Sequence, residues 1–286
     1  MHTRDRWRAS HRGRCAGHAA PMKRRAKPLL GTLVEIAFDA ELPDEEVNRL
    51  SALAFQSIHD IHQLMSFHEP ESDLTRINLA KPGQWVSMDI HTLKVLSCAL
   101  QIERDSQGLF NAGVAPLLVK SGLLPAPCET VPAATCLADM VELNGKTVRK
   151  IAEGWIDLGG IAKGYAVDVA CARLLDNGVC RFVVNAGGDL RVNGIADFEA
   201  IIRDPDNPGR GVLRVSLNEE ALATSACYFS DALIDPHSGK SLSSRYSVSV
   251  SAPTCMIADA LTKIVACTGQ IDHPILNQYM AKALIV

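Results

Sequence analysis

Trp155-Ile-Asp157-Leu-Gly159-Gly160-Ile-Ala-Lys163-Gly164-Tyr-Ala-Val-Asp168 is the stretch that decides how the chain is read. Its short apolar run reads as a strand, enters a Gly-Gly turn and passes straight into a helix expected over 160–177, stopped by Gly178. Glycines let a ligand approach the backbone, and free N–H groups at a helix start attract phosphate. Lys163, one turn in, adds a point charge. The spacing matches neither G-x-x-x-x-G-K-[ST] nor G-x-G-x-x-G, so the turn is neither a Walker loop nor a Rossmann fingerprint. A purely structural turn is the competing reading of the same glycines.

Downstream, strand-like pieces follow at 180–185, 189–195, 198–203 and 212–217. A second glycine turn, Asn185-Ala186-Gly187-Gly188-Asp189, joins the first two, and its plain reading is a hairpin. The chain then offers a strand over 246–251, a helix over 255–267 and a closing strand over 281–286. Upstream, Leu33 to Phe38 reads as the first strand. Val47, Leu50, Ala54, Ile58, Ile61 and Met65 recur at helical spacing behind Pro43, and acidic residues 44–46 suit the first turn. A second amphipathic helix is expected from Asp89, a suitable N-cap, to Gln107. A Pro/Ala-rich loop spans 122–135, and a further strand covers 147–151. Strands and helices mix without a steady βαβ beat. The expected class is therefore α+β, one compact unit with a sheet core flanked by helices.

The chain has 286 residues, 47% hydrophobic and 21% charged, which excludes a collagenous, disordered or multi-span membrane protein. Its net charge of -3 hides a split. Residues 1–27 carry nine Lys/Arg against Asp5 alone, which leaves 20 basic and 31 acidic groups on 28–286. The expected organisation is a basic, disordered extension over 1–27 and a folded domain over 28–286. An acidic body argues against nucleic acid as the main partner. Residues 1–21 hold no apolar run of the kind a secretory signal needs, no transmembrane segment is visible, and a cytoplasmic location is expected. Nine cysteines without a C-x-x-C are expected to be reduced and mostly buried.

One carboxylate stands out on the late helix. Asp259 lies among Met256, Ile257, Leu261, Ile264 and Val265, and a buried Asp needs a partner. A hard cation such as Mg²⁺ is one candidate. Solvent exposure, or pairing with Lys263 at i+4, is the other.

Taken in order, the motifs resemble the ApbE family of FAD:protein FMN transferases. They are Leu30-Gly31-Thr32, Met65 to Asn78, Phe110-Asn111-Ala112-Gly113-Val114, Asp157 to Gly164, Asn185 to Asp189, Thr224-Ser225, Ile234-Asp235-Pro236, and Ser247 to Ala260. The resemblance covers about residues 28–269. It implies FAD as a substrate, Mg²⁺, and protein flavinylation: transfer of FMN to a Thr or Ser hydroxyl of an acceptor flavoprotein subunit of a redox complex, with release of AMP. It also implies FAD contacts at Leu30, His68, Asn111, Ala112, Gly113, Asp157, Lys163 and Ile234. The implied metal ligands are the Gly160 carbonyl, the Asp259 carboxylate and a hydroxyl one turn on, for which Thr262 is the candidate.

The chain departs from the family pattern at three places. Ala232 stands where the family has the His proposed as base, with His237 as a substitute candidate. Lys263 takes the position of the usual metal-binding Thr, with Thr262 one residue earlier. Ala226-Cys227 replaces the usual Gly-Asp/Asn after Thr224-Ser225. Two alternatives to transfer follow: a non-catalytic FAD-binding or flavin-delivery protein, and an FAD pyrophosphatase releasing FMN and AMP.

Overall fold

In the computed structural model, which describes residues 22–207, 209–226, 233–242 and 246–286, the period-two alternation of the strands sorts the core into layers. The elements are β1 (Met22–Leu29), β2 (Thr32–Asp39), α1 (Asp44–Met65), α2 (Asp73–Leu79), β3 (Trp85–Ser87), α3 (Ile90–Asp105), α4 (Ala115–Lys120), α5 (Leu137–Met140), β4 (Val141–Asn144) and β5 (Thr147–Lys150). They continue with α6 (Ala162–Asp176), β6 (Phe182–Ala186), β7 (Asp189–Asn193), β8 (Phe198–Arg203), β9 (Gly211–Leu217), β10 (Ala221–Ala226), β11 (Ser247–Ala252), α7 (Cys255–Thr268), α8 (Pro274–Gln278) and β12 (Lys282–Ile285). Seven strands form one sheet in the order β1-β2-β6-β7-β10-β11-β12, every neighbouring pair antiparallel.

Val34, Ile36 and Phe38 of β2, with Phe182, Val184 and Ala186 of β6, face the helices. The buried stripe of α1 (Val47, Leu50, Ala54, Ile58, Ile61, Met65) and the apolar sides of α6 and α7 complete that core. Ala37, Val183, Leu190, Val192 and Leu222 point the other way. There they are covered by the two-stranded ribbon β8–β9 through Ala200, Ile202, Val215 and Leu217. The result is helices, sheet and ribbon in three layers, the α+β arrangement expected. At about 1.5–3 kcal/mol for each large apolar side chain fully removed from water, this double-sided burial makes the sheet the rigid frame.

Four expectations are corrected. The basic stretch 22–27 is no extension: Met22 pairs with Asp39 and Leu29 with Thr32, so β1 is an edge strand of the body, and Leu33–Phe38 lies in the second strand. Lys23 donates to the Leu42 carbonyl (2.8 Å) and Arg24 pairs with Glu35 (2.7 Å), giving the arm's charges partners within the fold. The apolar run Trp155–Leu158 joins no sheet. It is a buried extended segment, and the side chain of Asn78 stands in for a neighbouring strand: it donates to the Ile156 carbonyl (2.9 Å) and accepts the Ile156 N–H (2.8 Å). Strand β10, which carries Thr224 and Ser225, replaces what the sequence leaves as connecting chain. Finally, the thiols are less buried than expected: Cys171 and Cys255 are buried, Cys98 and Cys267 half-buried, and Cys128, Cys136 and Cys180 exposed.

Candidate active site

Two glycine turns converge on one cleft of about 1090 Å³, just above the usual range for ligand sites and roomy enough for a dinucleotide. The first is the Gly159-Gly160 turn ahead of α6. The second is the tight Gly187-Gly188 hairpin between β6 and β7, where Ala186 pairs with Asp189. Gly187 adopts φ +67°, and a Cβ there would come within 2.2 Å of Thr32 Oγ1, so only glycine lets this turn lie against β2. Asn185 fixes the turn by accepting the Gly188 N–H at 3.0 Å. The cleft is also lined by Asn111, Ala112, Asp157, Lys163, Thr224, Ser225, Ile234 and Lys263.

Charge is concentrated at its floor. Lys163 Nζ lies 3.0 Å from Asp189 Oδ2 in an ion pair that lacks hydrogen-bond alignment. Burial opposes the charge on Lys163, but Asp189 and Asp259 outweigh it and hold the ammonium protonated well above the ordinary lysine range. Burial, reinforced by the neighbouring Asp259, pushes the Asp189 carboxyl up to about 6 against the pull of Lys163 and Lys263. Asp157 is raised by burial too, with N–H groups of Gly159 and Leu158 on its carboxylate and the charges of His68 and Lys263 opposing.

Asp259 is buried and pairs with Lys263, the i+4 partner that the sequence offers. It is 1% exposed; Oδ2 accepts the Gly164 N–H at 3.1 Å, and Oδ1 holds the ammonium of Lys263. Asp168, half-way along α6, caps α7 by accepting the N–H groups of Cys255 (3.0 Å) and Met256 (2.9 Å), and it pairs with Arg191 of β7 (2.7 Å). That clamp fixes the start of α7, and hence Asp259, relative to the two turns.

A family model described as the ApbE family matches residues 30–284 of this chain. The chain belongs to the ApbE family. It is 26% identical over 275 residues to the FAD:protein FMN transferase of Vibrio cholerae serotype O1, covering 85% of this chain and 80% of that one. It is 28% identical over 272 residues to the FAD:protein FMN transferase of Rhodobacter capsulatus, covering 86% of this chain and about half (51%) of the longer protein. The solved structure of the flavin transferase ApbE from Vibrio cholerae superposes with a TM-score of 0.78 at 25% identity, covering 93% of this chain and 94% of that one.

Against the ApbE pattern, the structure brings Asn111, Ala112, Asp157, Gly160, Lys163 and Ile234 into the one cleft. Gly113 stands behind Asn111, donating its N–H to Asn111 Oδ1 at 2.7 Å. Leu30 is outside the cleft lining, in the β1–β2 turn at φ 55°. His68 lines a smaller neighbouring pocket of about 170 Å³ with Phe67, Thr75, Asn78 and Pro125, within electrostatic range of Asp157. His237 is also outside the cleft lining: it is exposed, and its Nε2 lies 3.1 Å from the Gln107 carbonyl. Ala232 and Cys227 lie outside the described residues. Two site residues escaped the sequence reading. Asp189 hid as the end of a hairpin turn, and Ser225 lacked any sequence clue to a partner.

The ligand set implied for Mg²⁺ does not fit a metal here. Asp259 Oδ1 carries the Lys263 ammonium, and the Asp259 carbonyl accepts from both Thr262 Oγ1 (2.6 Å) and Lys263 Nζ (3.1 Å). Thr262 is fully buried, its hydroxyl engaged with Asp259 and with Ser225 Oγ at 2.7 Å. The Lys263 stem covers Gly160, its Cε 3.3 Å from where a Cβ would stand. A divalent ion about 4 Å from a fixed ammonium meets a repulsion of about 8 kcal/mol at an effective dielectric of about 20. No group of three or more His, Cys, Asp or Glu side chains among the described residues is placed to hold a metal ion.

Proposed function

We propose that this chain is an FAD:protein FMN transferase. Carrying that reading is the pair of ammonium groups, Lys163 and Lys263, set beside a Gly-Gly turn and a helix N-terminus in a cleft of dinucleotide size. Such a floor suits a pyrophosphate. In the reaction, an acceptor Thr or Ser oxygen bonds to the flavin-side phosphorus of FAD. The bond from that phosphorus to the bridging oxygen breaks, AMP leaves with the electron pair, and the hydroxyl proton passes to a base or to water. Phosphoryl transfer of this kind asks the protein mainly for alignment and charge neutralisation. Lys163 supplies charge at the mouth of the turn, Asn111 and Ile234 border the space for the flavin half, and Asp189 holds Lys163 in place. With Lys263 held on the Asp259 carboxylate, charge neutralisation falls to the two lysines. An acceptor subunit of a redox complex is the expected partner. No helix among the described residues is long and apolar enough to cross a membrane.

Co-expression with an acceptor domain bearing a flavinylation Thr, followed by in-gel flavin fluorescence, tests the reading. A fluorescent acceptor band is expected, and its loss on Thr→Ala in the acceptor. A dark band with FMN and AMP accumulating would move the assignment to an FAD pyrophosphatase. A dark band with FAD bound and intact would leave a flavin-binding protein.

A further inference from the structure

We propose that the Lys263 ammonium is the resident cation of this cleft, standing in place of a divalent metal and making dinucleotide binding independent of one. The role for FAD rests on the reading above; the exclusion of metal does not. Four groups form a closed ring. Lys263 Nζ donates to Ser225 Oγ (3.1 Å), Ser225 donates to Thr262 Oγ1 (2.7 Å), Thr262 donates to the Asp259 carbonyl (2.6 Å), and Lys263 Nζ returns to that carbonyl (3.1 Å). The direction of the Ser225–Thr262 bond follows because the Thr262 hydrogen is already given to Asp259. The third ammonium hydrogen goes to Asp259 Oδ1.

All three N–H bonds of Lys263 are therefore spent on protein oxygens. That is how an oxygen cage holds a small cation, except that this cation is tethered to the cage through its own helix, four residues on from Asp259. Lys263 still lines the cleft next to Gly160, so its charge acts on a ligand through the field and not through a hydrogen bond. Lys163 differs: its ammonium has the single Asp189 contact among the described residues, which leaves hydrogens for a phosphate. The two lysines divide the work between fixed charge and direct donor.

The test uses the purified full chain and Mn²⁺ alone, read by electron paramagnetic resonance of the free ion. Wild type is expected to bind no Mn²⁺ at this site. Lys263→Thr, which restores a hydroxyl one turn after Asp259, is expected to gain one site that Asp259→Asn removes. A wild-type Mn²⁺ site abolished by Asp259→Asn overturns the proposal whether or not the Lys263 variants fold. In parallel, FAD binding is followed by calorimetry in EDTA and in Mg²⁺. Wild-type affinity should be the same in both, while Lys263→Thr should weaken by about tenfold to a hundredfold in EDTA, the order expected for losing one nearby unit charge that acts through the field, and recover in Mg²⁺. Lys263→Arg, keeping the charge, should stay metal-independent. Wild-type affinity that falls tenfold in EDTA and returns with Mg²⁺ contradicts the inference. Absence of FAD binding in every condition counts against the transferase reading, while the Mn²⁺ result still decides the cation.

Discussion

Lys163 shows what a single residue carries in this site. Replacing it with Ala removes a phosphate donor and leaves Asp189, 1% exposed, as a buried carboxylate without its counter-charge. FAD affinity should fall about tenfold or more, and stability by about 3 kcal/mol, measured by calorimetry and by urea unfolding. Lys150 is the structural counterpart. It is fully buried, its ammonium donating to the carbonyls of Ile77 and Gly154, and burial pushes it down to about 8, Glu153 opposing. Between about 8 and 10.5 the unfolded chain keeps this proton while the native protein has lost it. The unfolded state then binds more protons, so stability attributable to Lys150 rises with pH across that window and carries its full penalty below it. The melting temperature of wild type relative to Lys150→Met should therefore climb between pH 8 and 10. A flat difference would refute the assignment. At this scale the sequence was partly legible. Asp157, Lys163 and Asp259 were visible because each sits beside a glycine turn or within an apolar helix. Asp189 and Ser225 were not, because their partners lie 26 and 38 residues away in the chain and only the sheet brings them close.

At the scale of elements, the site depends on how closely α6 and α7 approach. A Cβ on Gly164 would fall 2.3 Å from the Cys255 carbonyl oxygen and 2.9 Å from Asp259 Cβ. In an ordinary helix interior, Gly→Ala stabilises by about 1 kcal/mol. Here the sign reverses: Gly164→Ala should destabilise by more than about 2 kcal/mol and weaken FAD binding, because it pushes Asp259 from the turn. A gain in stability by denaturant melt would disprove the close contact. The helices were readable from their apolar spacing and caps, with Pro43 and Asp89 standing where the first turns begin. Trp155–Leu158 misled because a buried extended run has the same composition whether its partner is a strand or, as here, the side chain of Asn78.

For the whole molecule, the charge split at residue 27 proved to be no boundary of structure, since β1 runs from Met22 to Leu29 at the sheet edge. Basic residues on an edge strand guard it against pairing with other chains, and they mimic a disordered tail in composition. A chain beginning at Pro28 should melt several degrees below one beginning at Met22, because β2 would lose its outer partner and become the exposed edge. Equal melting temperatures would show that β1 is dispensable. The α+β class was legible from the irregular mixture of strands and helices. The seven-strand order was not, because β2 pairs with β6 across six helices and the separate strands β3, β4 and β5. That long-range pairing is what sets the two glycine turns around one cleft. Metal-independent FMN transfer is tested by the intact mass of an acceptor domain after incubation with this purified protein and FAD in EDTA. A gain of one FMN unit per acceptor is expected, with AMP released in equal amount. An acceptor of unchanged mass, with no AMP formed, would contradict it.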